Sequence, residues 1–285
     1  MPELPEVESL RRSLAKGMEG CRVIRSRLLR RDILHSAPDA RACPFPGGAN
    51  VLKLHRQGKQ LVIETDRGCL LVHLGMSGSL RWLDERDTSA DPSDRHVHAE
   101  WTMQDPKGRR WILRHRDPRR FGWLEWHQDM KSVERSAWSA LGPDGLTVRA
   151  RTLIAALGET RRPIKAVLLD QRVVAGVGNI YADESLFHAG IHPMRKASSL
   201  LPREVTRLTT ALRRVLRSAV QRGGSTIRDH RGPDGSWGTY QQLHAVYGRS
   251  GSPCRLCGRS LLPSRVAQRA TVHCPACQPR RPGRA

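Results

Sequence analysis

Two sets of residues in this chain have types and spacings suited to chemistry, and they stand at opposite ends. At the start is MPELPEVE, where removal of Met1, a readily cleaved residue when proline follows, would expose Pro2 as a free secondary amine. An α-amine loses its proton far nearer neutrality than lysine does, so it can attack an electrophilic carbon such as a sugar C1′. The product would be an iminium, which acidifies neighbouring C–H bonds, and the adjacent Glu3 could carry protons. The same residues also read as the N-cap and first turn of a helix, with proline limiting fraying and the acids favouring the positive end of the dipole. Spacing alone leaves both readings open. At the other end, Cys254 and Cys257 form one CxxC and Cys274 and Cys277 a second, with sixteen residues between the inner cysteines. Four soft sulfur ligands select a tetrahedral metal, zinc ahead of iron, and leave no position for a catalytic water. One structural Zn2+ is therefore expected, holding a hairpin too short to fold by burial alone.

The elements that must position these groups differ along the chain. Val7, Leu10 and Leu14 have helical spacing behind Pro5 and Glu6, which predicts a short amphipathic N-terminal helix. From Val51 the pattern changes to brief runs rich in Val, Ile, Leu and Trp (VLKL, KQLVIET, CLLVHL, HVHAEW, RRWILR), separated by turn pairs, which predicts antiparallel strands. Asp84 to Arg95 is polar and aperiodic and reads as a surface loop. After the LGPDG turn at Leu141 to Gly145, helical spacing takes over: a stretch over Ile164 to Leu169, another from Asn179 to His188, and the clearest after Pro202. There Val205, Leu208, Leu212, Val215, Leu216 and Ala219 form one apolar stripe beside arginines. The glycine-rich segment from Gln221 to Gly238 predicts a mobile loop, and the last residues a frayed basic tail. The fold class expected is multidomain α+β. An N-terminal β-sandwich domain with its helix spans 1–145, a helical domain 146–248, and a zinc-finger hairpin with the tail 249–285.

Charge narrows the partner. Forty-nine basic residues against twenty-seven acidic ones give a formal charge of +22, and the basic set is 42 Arg to 7 Lys. Such an excess seeks a polyanion, and the guanidinium fork suits phosphate oxygens, so nucleic acid leads. There is no apolar stretch of 18 residues, and acids stand where a signal peptide would carry bases, so no membrane association is expected. Seven cysteines, four of them clustered, favour metal ligation in a reducing compartment over disulfides.

MPELPEVE, LVHLGMSGSL, DPRRFG, VVAGVGNIYADESLFHAGIHP and the terminal CRLCG to CPAC, with QRAT before the second knuckle, closely resemble the bacterial formamidopyrimidine-DNA glycosylase family, in that order along nearly the whole chain. The resemblance implies a bifunctional glycosylase and AP lyase of base excision repair, which removes oxidised purines (8-oxoguanine, formamidopyrimidines) through a Pro2 Schiff base with β,δ-elimination. Its partner would be double-stranded DNA containing oxidised bases or abasic sites, held in a cleft between the domains. No organic cofactor is implied. A monomer in the bacterial cytoplasm, associated with the nucleoid, is expected. By the same resemblance Pro2 is the nucleophile, Glu3 its proton-transfer partner, Glu6 a pocket residue, and Lys59 a catalytic lysine that holds phosphate near the lesion. Met76, Arg119 and Phe121 match the side chains inserted where the base has left. Asn179, read also as the cap of a helix after a glycine turn, and Arg269 on the zinc hairpin would grip phosphate, as would His73. Glu184 would support the active site. The basic run ILRHR before DPRRFG and His230 in the glycine-rich segment depart from the family pattern and bear on lesion preference. Alternatives are a glycosylase for oxidised pyrimidines, a non-catalytic damage-binding protein, and an RNA-binding ribbon protein.

Overall fold

The computed structural model describes residues 2–35, 45–87, 95–158, 160–225 and 238–280. His230 with most of the glycine-rich segment, residues 88–94 of the expected surface loop, and the tail beyond 280 lie outside them. The chain divides into two compact units, Met1–Ala140 with Gly223–Thr239, and Leu141–Arg222 with Tyr240–Ala285.

The first unit opens with α1 (Leu4–Met18), whose Leu4, Val7, Leu10, Leu14 and Met18 are buried along one face. Among the described residues nine strands follow: β1 (Arg22–Leu28), β2 (Leu34–His35), β3 (Val51–Gln57), β4 (Gln60–Thr65), β5 (Gly68–His73), β6 (Ser79–Asp84), β7 (Val97–Gln104), β8 (Arg110–Arg116) and β9 (Trp123–His127). They make a four-stranded sheet in the order β1-β7-β8-β6 and a five-stranded one in the order β2-β9-β5-β4-β3. Pairing is antiparallel except for the short β2–β9 contact. Inward residues of both sheets share one core: Val23, Ala99, Trp101, Met103 and Leu113 from one, Leu54, Leu61, Ile63, Leu70, Val72 and Leu124 from the other. Each fully buried aliphatic side chain contributes about 1.5–3 kcal/mol, so this core outweighs the surface ion pairs. The outer face of the five-stranded sheet is covered by α2 (Met130–Arg135), with Val133 against Val62, Cys69 and Leu71. That cover explains why KQLVIET and CLLVHL read as continuous apolar runs. Asp84, placed by its polarity in the expected loop, instead closes β6 and accepts from Arg86 and Arg109.

A charge cluster fastens the helix to the sandwich. Buried Glu8 on α1 accepts from Arg11 Nη2 at 2.9 Å, Arg12 Nε at 2.7 Å and Arg56 Nε of β3 at 2.9 Å. Burial opposes its charge, but the three guanidiniums prevail and hold its carboxyl at about 2.

The second unit is helical: α3 (Ala150–Gly158), α4 (Ile164–Leu168), α5 (Asn179–His188) and α6 (Pro202–Gln221), followed by the hairpin of β10 (Leu262–Val266) and β11 (Arg269–His273). α6 packs on α3 and α5, and β11 on α5. No described helix is long and apolar enough to cross a membrane.

Burial holds His73, His115 and His244 down to about 4 and also lowers His188. In the unfolded chain these imidazoles titrate near 6.5 and bind protons that the folded protein refuses, so stability rises with pH across that window. Burial pushes Asp183 up to about 6 and raises Glu184, which work in the opposite sense, but these are two carboxylates against seven imidazoles, since His96, His192 and His273 are lowered as well. Urea unfolding is therefore expected to show stability falling as pH drops from about 6.5 toward 4, and a midpoint that rises on acidification would contradict this balance.

Candidate active site

The N-terminal residues are buried, not frayed: Pro2 lies in the interior, Glu3 is 2 % exposed and Glu6 1 %. Glu3 caps α1, and its backbone N–H donates to Glu6 Oε2 at 2.8 Å, one arm of a capping box. Glu6 Oε1 accepts the backbone N–H of Ser225 at 2.7 Å. Gly224 makes that approach possible, because a Cβ there would sit 2.5 Å from Glu6 Oε1 at a φ of +82°. The helical reading of MPELPEVE thus holds, and Glu3, expected to move protons for Pro2, is the residue that caps the helix.

Lys59 lies in the two-residue turn Gly58–Lys59 between β3 and β4, the strands on which α1 packs. Arg56 ties this turn to the helix, Nε bonding Glu8 and Nη1 donating to Gly58 O at 2.9 Å. A chain of Glu8, Arg56 and Gly58 therefore sets the lysine relative to the α1 that carries Pro2.

Met76, Arg119 and Phe121 come from two interlocked loops. Asp117, fully buried, accepts from Ser77 Oγ, from Gly122 N at 2.7 Å and from Arg119 N at 3.3 Å, and so shapes the DPRRFG turn. Arg120 takes a φ of +56° within it. The turn holds Phe121 51 % exposed, with the Arg119 guanidinium 4.8 Å from its ring centroid. An exposed Phe with its backbone pinned is the reverse of a core residue, and it suits insertion into another surface. Gly75, beside Met76, sits at a φ of +59°, and a Cβ there would be 2.3 Å from Phe121 C. His73 accepts from Gly75 N at Nδ1, 3.2 Å away.

In the second unit, Gly178 caps α5 and Asn179 is its first helical residue, so the cap falls one residue before the expected asparagine. Asn179 Nδ2 instead donates to Ala270 O of β11 at 3.0 Å. Arg269, which precedes Ala270, is exposed after a tight turn in which Ala267 and Gln268 both have positive φ. Behind the hairpin lies a fully buried Lys165, whose Nζ pairs with Asp183 Oδ1 at 2.7 Å and donates to Thr271 Oγ1 at 2.7 Å and Ala270 O at 3.0 Å. Asp183 Oδ2 also accepts from Val272 N at 3.3 Å. The carboxylate of Glu184 accepts the backbone N–H groups of Ala245, Val246 and Tyr247 at 2.8, 2.9 and 2.8 Å. It holds the backbone that leads into the cysteine module.

The four cysteine sulfurs lie within 4.8 Å of one another, with Sγ–Sγ separations of 3.9 Å for Cys254–Cys277 and 3.5 Å for Cys257–Cys274. Tetrahedral ligation at a metal–sulfur distance near 2.3 Å requires sulfurs about 3.8 Å apart. Leu256 N and Cys277 N each point at a cysteine sulfur at 3.4 Å, as donors that favour thiolates. The cluster fits a metal ion.

Comparison with known proteins bears on the whole chain. The formamidopyrimidine-DNA glycosylase N-terminal domain matches residues 1–124 and the H2TH domain of the same enzymes residues 141–231. The chain belongs to the formamidopyrimidine-DNA glycosylase family. The enzyme of that name from Xanthomonas oryzae pv. oryzae (strain PXO99A) is 44% identical over 282 residues, 98% of this chain and 100% of the relative. The crystal structure of the MutM (Fpg) protein from Thermus thermophilus has a TM-score of 0.84 at 40% identity, covering 99% of this chain and 100% of that one. That of wild-type Lactococcus lactis Fpg (MutM), in complex with a DNA containing N7-benzyl-Fapy-dG, has a TM-score of 0.87 at 30% identity, covering 98% and 100%.

This glycosylase has positioning residues that reading the sequence missed. Asp117 and Asp183 were visible only as parts of motifs, and Lys165 only as a member of a helical stretch. A lysine where the chain otherwise uses arginine was the available signal at 165. Substitution Gly75→Ala would force apart the loops that carry Met76 and Phe121. We expect it to weaken binding of a lesion-containing duplex about tenfold or more at a cost of about 1–3 kcal/mol in stability; binding within twofold of the parent, in a fluorescence titration, would show that the loops need not interlock.

Proposed function

We propose that this glycosylase removes oxidised purines of the 8-oxoguanine and formamidopyrimidine type from double-stranded DNA, then cleaves the strand at the abasic site. What supports the substrate class is family membership along the full length, together with the seating of Pro2 and Glu3 at a buried, capped helix start. The lesion carried by the DNA in the Lactococcus lactis complex belongs to the same class.

Once Met1 is removed, the Pro2 nitrogen in its neutral form bonds to C1′ of the damaged nucleotide. The bond from C1′ to the base breaks, and the base leaves with its electron pair and takes up a proton. Opening of the sugar ring gives an iminium to Pro2; loss of a C2′ proton then expels the 3′ phosphate, and a second proton loss expels the 5′ phosphate. Water finally releases the sugar fragment from the proline. Glu3 transfers protons in these steps, Glu6 holds the pocket through Glu3 and Ser225, and Lys59 neutralises a phosphate beside the reacting sugar. Extruding the nucleotide costs a few kcal/mol. Met76 and Phe121 offset this by filling the vacated stack, while Arg119 donates to the unpaired partner base.

Asn179, Arg269 and the neutral imidazole of His73 donate to phosphate oxygens. Cys254, Cys257, Cys274 and Cys277 hold one structural Zn2+, which supplies the folding energy of the hairpin that presents Arg269. The functional parts are the catalytic domain 1–145, the helical domain 146–248 and the zinc hairpin 249–285. The protein works as a monomer in the bacterial cytoplasm, on the nucleoid.

Borohydride is expected to trap a covalent adduct between residue 2 and a duplex containing 8-oxoguanine. Pro2→Gly is expected to lower base release and strand cleavage about 100-fold or more. A Pro2→Gly protein of full activity would overturn the mechanism. Verified removal of the metal by chelation should abolish binding of the same duplex, and an unchanged Kd would show that the hairpin folds and acts without it.

A further inference from the structure

The residue that follows the DPRRFG turn, Trp123, belongs to no part of the machinery described so far, yet it is sandwiched between two imidazoles. His73 of β5 lies on one face, with ring centroids 5.3 Å apart and planes 16° apart, and His35 of β2 on the other at 4.8 Å and 3°. The arrangement follows from strand order. β9 lies between β2 and β5, and Trp123 is the register partner of His73. His73 is in turn bonded at Nδ1 by Gly75 N, the residue beside Met76, and Trp123 is covalently joined to Gly122, whose N–H is held by Asp117. A Cβ at Gly122 would lie 2.7 Å from His73 O, so the two strands meet without slack. One indole therefore adjoins the supports of both loops, the one that carries Met76 and the one that carries Arg119 and Phe121.

We propose that Trp123, backed by His35, is a positioning residue for DNA engagement: stacked on His73, it holds that imidazole in the neutral tautomer whose Nδ1 anchors Gly75 and whose Nε2–H is left to donate to a phosphate oxygen. The tautomer follows from the geometry, since an Nδ1 that accepts from a backbone N–H cannot itself carry a proton. Burial, to which the stacked indole contributes one face, is the main reason the ring stays neutral; Lys59 from the β3–β4 turn and His35 from β2 act in the same direction, against Asp117 from the turn after β8, and the result is a value of about 4. Without the stack, the ring could protonate within the ordinary working range and release Gly75. His73 thus acts as a hydrogen-bonding group of fixed charge, and Trp123 fixes it.

This inference rests on the reading that His73 and the loop of Met76 meet DNA, and the test separates the two. Histidine side-chain NMR would follow His73 in the free protein, while fluorescence titration would follow the Kd for a duplex carrying a tetrahydrofuran abasic analogue from pH 5 to 8. Parent, Trp123→Leu, Trp123→Phe, His35→Ala and His73→Ala proteins would be compared. In Trp123→Leu, His73 should titrate within the measured range, the Kd at pH 7.5 should rise about tenfold, and Kd should gain a pH-dependent step whose midpoint matches that titration. Trp123→Phe, which keeps a stacking ring and should fold even if the leucine variant does not, should restore both to within about threefold, and His35→Ala should show a smaller shift in the same direction. His73 still untitrated at pH 5 in Trp123→Leu, or a Kd within twofold of the parent, would overturn the proposal. An unchanged Kd in His73→Ala would instead overturn the reading of His73 as a DNA contact, whatever the NMR shows.

Discussion

A carboxylate sealed from water must find donors, and Glu6 takes them from the N–H of Glu3 at its own helix start and from the N–H of Ser225, 219 residues further along the chain. The seating of Pro2 depends on this. A nucleophile at a chain end would ordinarily be the most mobile atom of a protein, and the rotational freedom lost on reaction would then burden the chemical step. Here the helix start is capped, buried and bonded from outside its own element, so under the proposed mechanism the amine freed by loss of Met1 would be oriented by the same contacts that stabilise the fold. Glu8, one turn on, does the same work by charge, gathering Arg11, Arg12 and Arg56 so that the lysine-bearing turn and the helix move as one.

The same device recurs wherever a functional side chain stands on irregular backbone. Asp117 holds the turn of Arg119 and Phe121; Glu184 holds residues 245–247; the Lys165–Asp183 pair holds the strand that follows Arg269. In each case a buried charge is satisfied by backbone donors or acceptors of a loop or strand edge. Removing one partner of such an arrangement leaves a charge without solvation, a penalty of a few kcal/mol, which makes the loop nearly as resistant to rearrangement as a helix. In the proposed function Phe121 and Met76 fill the stack left by the extruded base, and they could do so only if the loops behind them do not give way.

Much of this was legible in the residues. Every strand read from the runs between Val51 and Arg114 is present, and so are the helices at Ile164, Asn179 and Pro202, because apolar periodicity survives in elements that bury one full face. The four cysteines converge as their spacing required. What escaped was weaker in pattern. β1 carries arginine at 22, 25 and 27, which hides its alternation, β6 breaks its apolar run with Arg81 and ends on Asp84, and β9 and α2 are too short to show a period. Residue type and position offered Pro2 as an amine but left it open against a plain helix cap, and the roles expected of Met76, Arg119 and Phe121 came only from resemblance, since a lone Phe or Met says little by type. The supports were invisible for a physical reason: Asp117, Glu8 and Asp183 act through contacts that depend on where distant backbone comes to lie, and no local spacing encodes that.

Lys165 shows where such a fold resists its own compositional habit. In a chain that uses arginine 42 times and lysine 7, a lysine in a fully buried slot is the exception. The slot formed by Asp183, Thr271 and Ala270 suits lysine, because it presents three acceptors around a point, the geometry of a tetrahedral ammonium, whereas a guanidinium is a flat fork of greater girth. A genome biased toward arginine codons would press on this position in every generation, and the solvent-free socket behind the hairpin would reject the change each time.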